Sequence, residues 1–300
     1  MTESKSPVRH GNQVECFLDG LPPSTNRYPY EGKEQFDRIL KFEFDRLQRA
    51  LSCLQSKSID RNSLELSEYF VIAIGPSSFK QDFLLCETSS GLHLSYHAAQ
   101  QTLIVRMTTT EHAQVIGALN AEIMAILQRM DLYRAVQIYG NVDVDVSNGN
   151  VKRPDWGWGP IRRSGGPKRP GVVVEVGVSE TTTKLRNDAR MWVDPVKGQV
   201  NMAITIKVDR TNPRITLDTY EWDSPTQRPQ VTQSCVIEET STKVTVSQCP
   251  ITIPFNYMLQ RSPEIPKETE IRLEKQNLID MANLTCTSEM HRFTTKREAC

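Results

Sequence analysis

Val172-Val173-Val174-Glu175-Val176-Gly177-Val178 is a run of β-branched residues with a single carboxylate at its centre. Valine favours a pleated backbone because its branched side chain restricts χ1, and a run apolar at nearly every position fits a strand covered on both faces. An ionised glutamate inside such a strand is costly unless a charged group meets it. Pro154-Asp155 supplies a second acid upstream, just after the turn signal Ser147-Asn148-Gly149-Asn150. A divalent cation shared by Asp155 and Glu175 is one economical explanation, and such a pair can polarise a phosphodiester and activate water. Taken singly, Asp155 also reads as a turn residue after proline, and Glu175 as an ion-paired strand residue.

Outward from this stretch, the pattern predicts a mixed α/β chain. Val142-Asp143-Val144-Asp145-Val146 alternates valine with aspartate, an apolar face backed by an acidic one. Upstream, Phe36, Leu40, Leu47, Leu51 and Leu54 recur at helical spacing over 34–55, with Glu43 at the stripe edge and expected to reach solvent. Strand-like runs at 69–74, 83–86, 92–96 and 102–107 suggest an antiparallel meander. Thr110-Glu111 opens a second helix with Glu122 beside its apolar stripe. Downstream, Ser179-Glu180 reads as a helix start carrying Leu185, Ala189 and Trp192, followed by strands over 199–208, 214–222, 230–238 and 243–247 and a surface helix over 266–281. The expected organisation is an extended lead-in over 1–32, one α/β domain over 33–260 with its core at about 90–222, and a C-terminal helix and tail over 261–300.

Composition narrows the classes. The 36 basic residues balance 36 acidic ones, so no global field attracts nucleic acid or an anionic membrane, and any polyanion contact must be local. The local candidate lies between the two acids, where Lys152, Arg153, Arg162, Arg163, Lys168 and Arg169 interleave with Trp156 and Trp158; cations can hold phosphates and indoles can stack on bases. The alternative is a solvated basic loop with the tryptophans packed on the core. The seven cysteines are scattered and form no CxxC pair, which disfavours a structural zinc site and suggests a reducing compartment. With no signal-like segment and no apolar span, the chain reads as intracellular, cytoplasmic or nuclear, without a membrane partner. His93 and His97 form the one close histidine pair, without the helical geometry of a zinc motif. Phosphate-loop, dinucleotide and nucleophile-elbow motifs are lacking.

Leu94-Ser95-Tyr96-His97, Leu103-Ile104-Val105-Arg106-Met107, Glu111-His112, Pro154-Asp155, Val173-Val174-Glu175-Val176, Ser179-Glu180 and Asp188 to Trp192, in that order, resemble the PD-(D/E)XK restriction-endonuclease-like superfamily, nearest its Uma-type branch and related fungal proteins. The resemblance spans about residues 90–222. It implies a mixed central sheet flanked by helices, with an N-terminal helix and β-meander added here. It also implies hydrolysis of nucleic-acid phosphodiesters with Mg or Mn, Asp155 and Glu175 holding the metal and Glu122 supporting it. The family's lysine stands two residues after the second acid, where this chain has Gly177; Lys184 on the next helix is the preferred substitute, with Arg186 and Arg190 on the same segment. The departure at Gly177 leaves a second reading, a catalytically inactive domain of the same fold acting as a binding or accessory protein, for example in a fungal gene cluster. An enzyme acting on a small metabolite at the same cleft is a third.

Overall fold

The computed structural model describes residues 17–55, 67–85, 92–140, 142–161, 169–178, 181–209, 213–240 and 243–294. β1 (Asn26–Pro29) leads into α1 (Lys33–Gln55). Then come β2 (Tyr69–Ala73), α2 (Pro76–Phe79, continued by a π-helical turn over Lys80–Leu84), β3 (Leu92–His97), β4 (Thr102–Met107) and α3 (Thr110–Arg129). β5 (Val136–Ile138), β6 (Val144–Asp145), β7 (Val151–Lys152), β8 (Trp156–Pro160) and β9 (Val172–Gly177) precede α4 (Thr182–Val193). The chain ends with β10 (Met202–Asp209), β11 (Arg214–Asp223), β12 (Arg228–Glu239), β13 (Val244–Ser247), β14 (Ile251–Ile253), α5 (Phe255–Leu259), β15 (Ile271–Leu273) and α6 (Lys275–Thr294).

The valine run is a central strand, as its composition requires. β9 pairs parallel with β10 and antiparallel with β8 inside a seven-stranded mixed sheet of order β13-β12-β11-β10-β9-β8-β5. Because side chains alternate across a strand, Val172, Val174 and Val176 point into a core shared with α3 and α6, while Val173 joins the core under α4 with Ala189, Trp192 and Val193. Glu175 has the same parity as Val173 and so stands on the α4 face. A second mixed sheet of order β1-β2-β4-β3-β7-β6 carries the meander. One face of it buries Phe70, Ile72, Leu94, Leu103 and Val105 against Phe36 and Leu47 of α1.

Three local expectations need correction. Residues 83–85 belong to the π-helical turn and the bend after it, not to a strand: Phe83 is pulled in against Phe36 at a ring distance of 4.9 Å, and that packing overrides local β preference. The 266–281 helix splits, since Ile271 and Leu273 form β15 against β14, and the helix begins only at Lys275 and puts Leu278, Met281 and Ala282 into the main core. Glu43 does not reach solvent. It is fully buried on α1, paired with Arg46 at 2.8 Å and accepting from Asn26 and Tyr28. Burial and the Glu43 carboxylate together push the Tyr28 phenol up to about 12.

Candidate functional site

The second face of the β1–β7 sheet is the polar one, and its register builds the site. His93 pairs across to Arg106 and Arg106 to Tyr69, while Lys152 pairs to Ser95 and Ser95 to Ile104. Period-two alternation therefore stacks Tyr69, Arg106 and His93 in one row and Ile104, Ser95 and Lys152 in the next, all turned away from the α1 core. This surface meets the end of β9, the start of β8 and the first turns of α4. Trp156 of β8 stands opposite Val174 of β9, and extending that register sets Asp155 beside Glu175.

The sequence therefore brings Asp155, Glu175 and Lys184 into one neighbourhood, each beside a group of opposite charge. Asp155 accepts the backbone N–H of Val176 at 2.7 Å through Oδ2, which also lies 2.9 Å from His112 Nε2. Its Oδ1 is in contact with Arg106 Nη2 and lies 3.2 Å from His93 Nδ1. Glu175 Oε1 accepts from Trp192 Nε1–H at 2.5 Å and lies 3.3 Å from Lys152 Nζ; its Oε2 lies 3.8 Å from the same Arg106 Nη2. Lys152 also sits 3.0 Å from Asp188, and Lys184 donates to the other Asp188 oxygen at 2.5 Å. All these residues are buried, none more than 8% exposed.

Three cations, Arg106, Lys152 and Lys184, thus face three carboxylates, Asp155, Glu175 and Asp188. Burial alone would raise the Asp188 pKa, but Lys152 and Lys184 outweigh it and hold the carboxyl well below its usual range. Burial likewise acts to lower Lys152, and Asp188 and Glu175 reverse this and raise it. Burial drives His93 and His112 well below the ordinary imidazole value; Arg106 reinforces both, with Arg153 and Lys152 adding at His93. With the imidazoles neutral, the cluster carries no net charge.

The lowered imidazoles set a pH dependence. Below the unfolded value near 6.5 the unfolded chain takes up protons that the folded histidines refuse, so stability falls as pH falls. Denaturant unfolding measured from pH 7 to pH 5 is expected to show stability falling with pH, and His112→Gln should remove its share of the slope. A flat profile over that window would contradict the assignment.

The donor set does not fit a divalent ion. Magnesium or manganese needs several oxygen ligands and an excess of negative charge, whereas a guanidinium already bridges the two acids. The space among these side chains is about 10 Å³, room for about one water. Among the described residues, no group of three or more His, Cys, Asp or Glu is placed to hold a metal ion. Glu122 stands apart from the acids: it accepts from Asn277 of α6 at 2.8 Å, in the layer across the sheet from α4.

The expected nucleic-acid contacts are redistributed. Arg153 is buried in an ion pair with Asp143 and donates to the Leu92 carbonyl. Trp156 and Trp158 both donate to Asn120 Oδ1 at 3.1 Å, and Trp158 is wholly buried in the main core. Arg169 donates to the carbonyls of Lys197 and Gly198. Arg162, Arg163 and Lys168 lie outside the described residues, as does the Ser179-Glu180 helix start; α4 is capped instead by Thr181, which accepts from the Lys184 N–H.

The sequence does not mark Arg106, His112 and Asp188 as members of the site, and Lys152, read there as a phosphate-holding cation, instead pairs with Glu175 and Asp188. Arg106 carried the same signal as Glu175, a lone charge inside a buried apolar strand. His93 lies close to His97 in the sequence, but its ring neighbour in the fold is His112, at 5.7 Å.

No family model and no curated protein matches the sequence. Among solved structures, the chain is similar to a crystal structure from Anabaena variabilis ATCC 29413 described as "a putative nuclease belonging to DUF820", with 13% identity and a TM-score of 0.40, over 70% of this chain and 99% of that one. Among the described residues, no helix is long and apolar enough to cross a membrane.

Proposed function

We propose that this chain is a catalytically inactive member of the restriction-endonuclease-like class, a binding module whose acidic site is closed by its own cations. The observation that carries the reading is Arg106 Nη2, which lies against Asp155 and within 3.8 Å of Glu175. A guanidinium there opposes the charge of both acids while also donating to the Val176 carbonyl at 3.2 Å, and a metal at the acids would have to displace this buried cation from its carboxylate partners. The order of the motifs and the β8–β9 pairing that sets Asp155 beside Glu175 support the class; Arg106 and Gly177 support the loss of chemistry.

One observation favours the alternative, a metal-dependent phosphodiester hydrolase. Lys152 reaches Glu175 from the neighbouring sheet and supplies a cation that the Gly177 position lacks. The two readings separate in an assay with single- and double-stranded DNA and RNA and either Mg or Mn. The inactive reading predicts no cleavage above a mock purification, whereas cleavage that disappears in Glu175→Gln would establish the hydrolase.

A further inference from the structure

Next to the ion cluster lies an open cleft of about 280 Å³ that no part of the nuclease-like site accounts for. Its floor is Lys152 and Asp188, shared with the cluster; its walls come from the end of β3, the turn between β6 and β7, and α4. The segment before β1 closes one side and is anchored there. Gly20, at φ +80°, lies so close to the first turn of α4 that a Cβ would come within 2.6 Å of the Lys184 nitrogen, and its carbonyl accepts from Thr181 Oγ1 at 3.0 Å.

The lining has two characters. Four cations, Lys152, Lys184, Arg190 and Lys197, face the single carboxylate Asp188. Lys152 and Lys184 are tied to that acid, Arg190 is exposed at the mouth, and Lys197 is half-buried with its ammonium 3.6 Å from Asp194, which lies outside the lining. Burial and the charge on Lys197 lower the His97 pKa, so this imidazole is a neutral planar surface; it tilts against Phe17 with 5.2 Å between ring centres. An aromatic wall beside a cationic mouth selects a flat ring carrying an anion. The volume suits one such unit and excludes a duplex.

We propose that this cleft binds a single planar, phosphate-bearing ligand of nucleoside monophosphate size, its ring against Phe17 and His97 and its phosphate at Arg190 and Lys197. The inference gives the non-catalytic reading a ligand and rests on it. The ligand's source is either a free nucleotide or the phosphorylated end of a single strand.

Calorimetric titration of the full chain with AMP, CMP, GMP and UMP, 5′-phosphorylated tetranucleotides and inorganic phosphate tests this, with the recovered ligand analysed for chemical change. Saturable binding of a mononucleotide or a phosphorylated end, weakened at least tenfold in Arg190→Ser/Lys197→Ser and reduced in Phe17→Ala, is the expected result. Whichever of the two binds more tightly identifies the source. Unchanged melting temperatures would show that these variants remain folded. No binding, binding indifferent to the substitutions, or equal binding of inorganic phosphate overturns the cleft assignment and leaves the inactive-domain reading standing. Binding accompanied by conversion of the ligand overturns the inactive-domain reading instead.

Discussion

Asp155→Ala is expected to destabilise the protein by roughly 3–5 kcal/mol, because it removes one side of a buried ion pair and leaves Arg106 with only the more distant Glu175, at 3.8 Å, opposite its charge. In a metal-dependent nuclease the same substitution would be read as the loss of a metal ligand in an intact protein, so the measurement separates the two roles of this residue. The Val176 N–H, which donates to Asp155 at 2.7 Å, loses its partner too. Denaturant unfolding of Asp155→Ala, Arg106→Met and the double variant forms a cycle. The double variant should recover a large part of the Asp155→Ala loss, since residues in contact are not additive. Near-native stability of Asp155→Ala would mean that the carboxylate does not meet the guanidinium.

Trp158→Ala should cost a comparable amount, about 3–5 kcal/mol, because it opens a large void in the core; Asn120 Oδ1 keeps the Trp156 donor, so the loss is one of packing. Trp158 is wholly buried among Val172, Val174 and the α3 side chains. A tryptophan serving as a stacking platform for bases would behave oppositely, with stability unchanged and nucleic-acid affinity reduced. Thermal or denaturant unfolding decides between the two.

Much of the architecture was legible because burial wrote itself into composition. The Val172–Val178 run had to be a doubly covered strand, the stripes of α1 and α3 followed 3.6-residue spacing, and β10 to β12 alternated. Residues 83–85 and the split at Ile271 escaped because tertiary contacts, Phe83 on Phe36 and β15 on β14, overrode the local pattern. In the site, Asp155, Glu175 and Lys184 stood out in the sequence, and the structure brings them into one neighbourhood. Their partners did not stand out as such, because Arg106, His93 and Lys152 meet them across two different sheets, and single-sequence spacing does not encode which face of one sheet packs on another. The tryptophans misled for a related reason. Interleaving with basic residues suggests a polyanion surface, yet strand parity turns Trp158 toward the Val172 and Val174 side of the sheet.

The Lys152–Glu175 contact keeps one question sharp. A lysine beside the second acid is what a hydrolase needs, and here it is balanced by Asp188 and fixed over the Trp192 ring at 5.9 Å. With Lys184 on the other Asp188 oxygen, the cluster is electrically complete without any added ion.

The most direct test is a titration of manganese into the purified protein, followed by calorimetry or by the electron spin resonance signal of the free ion. Neutralisation of Asp155 and Glu175 by Arg106 and Lys152 predicts no saturable binding up to millimolar metal. Stoichiometric binding that vanishes in Glu175→Gln, a variant that keeps an oxygen acceptor for the Trp192 N–H, would contradict it.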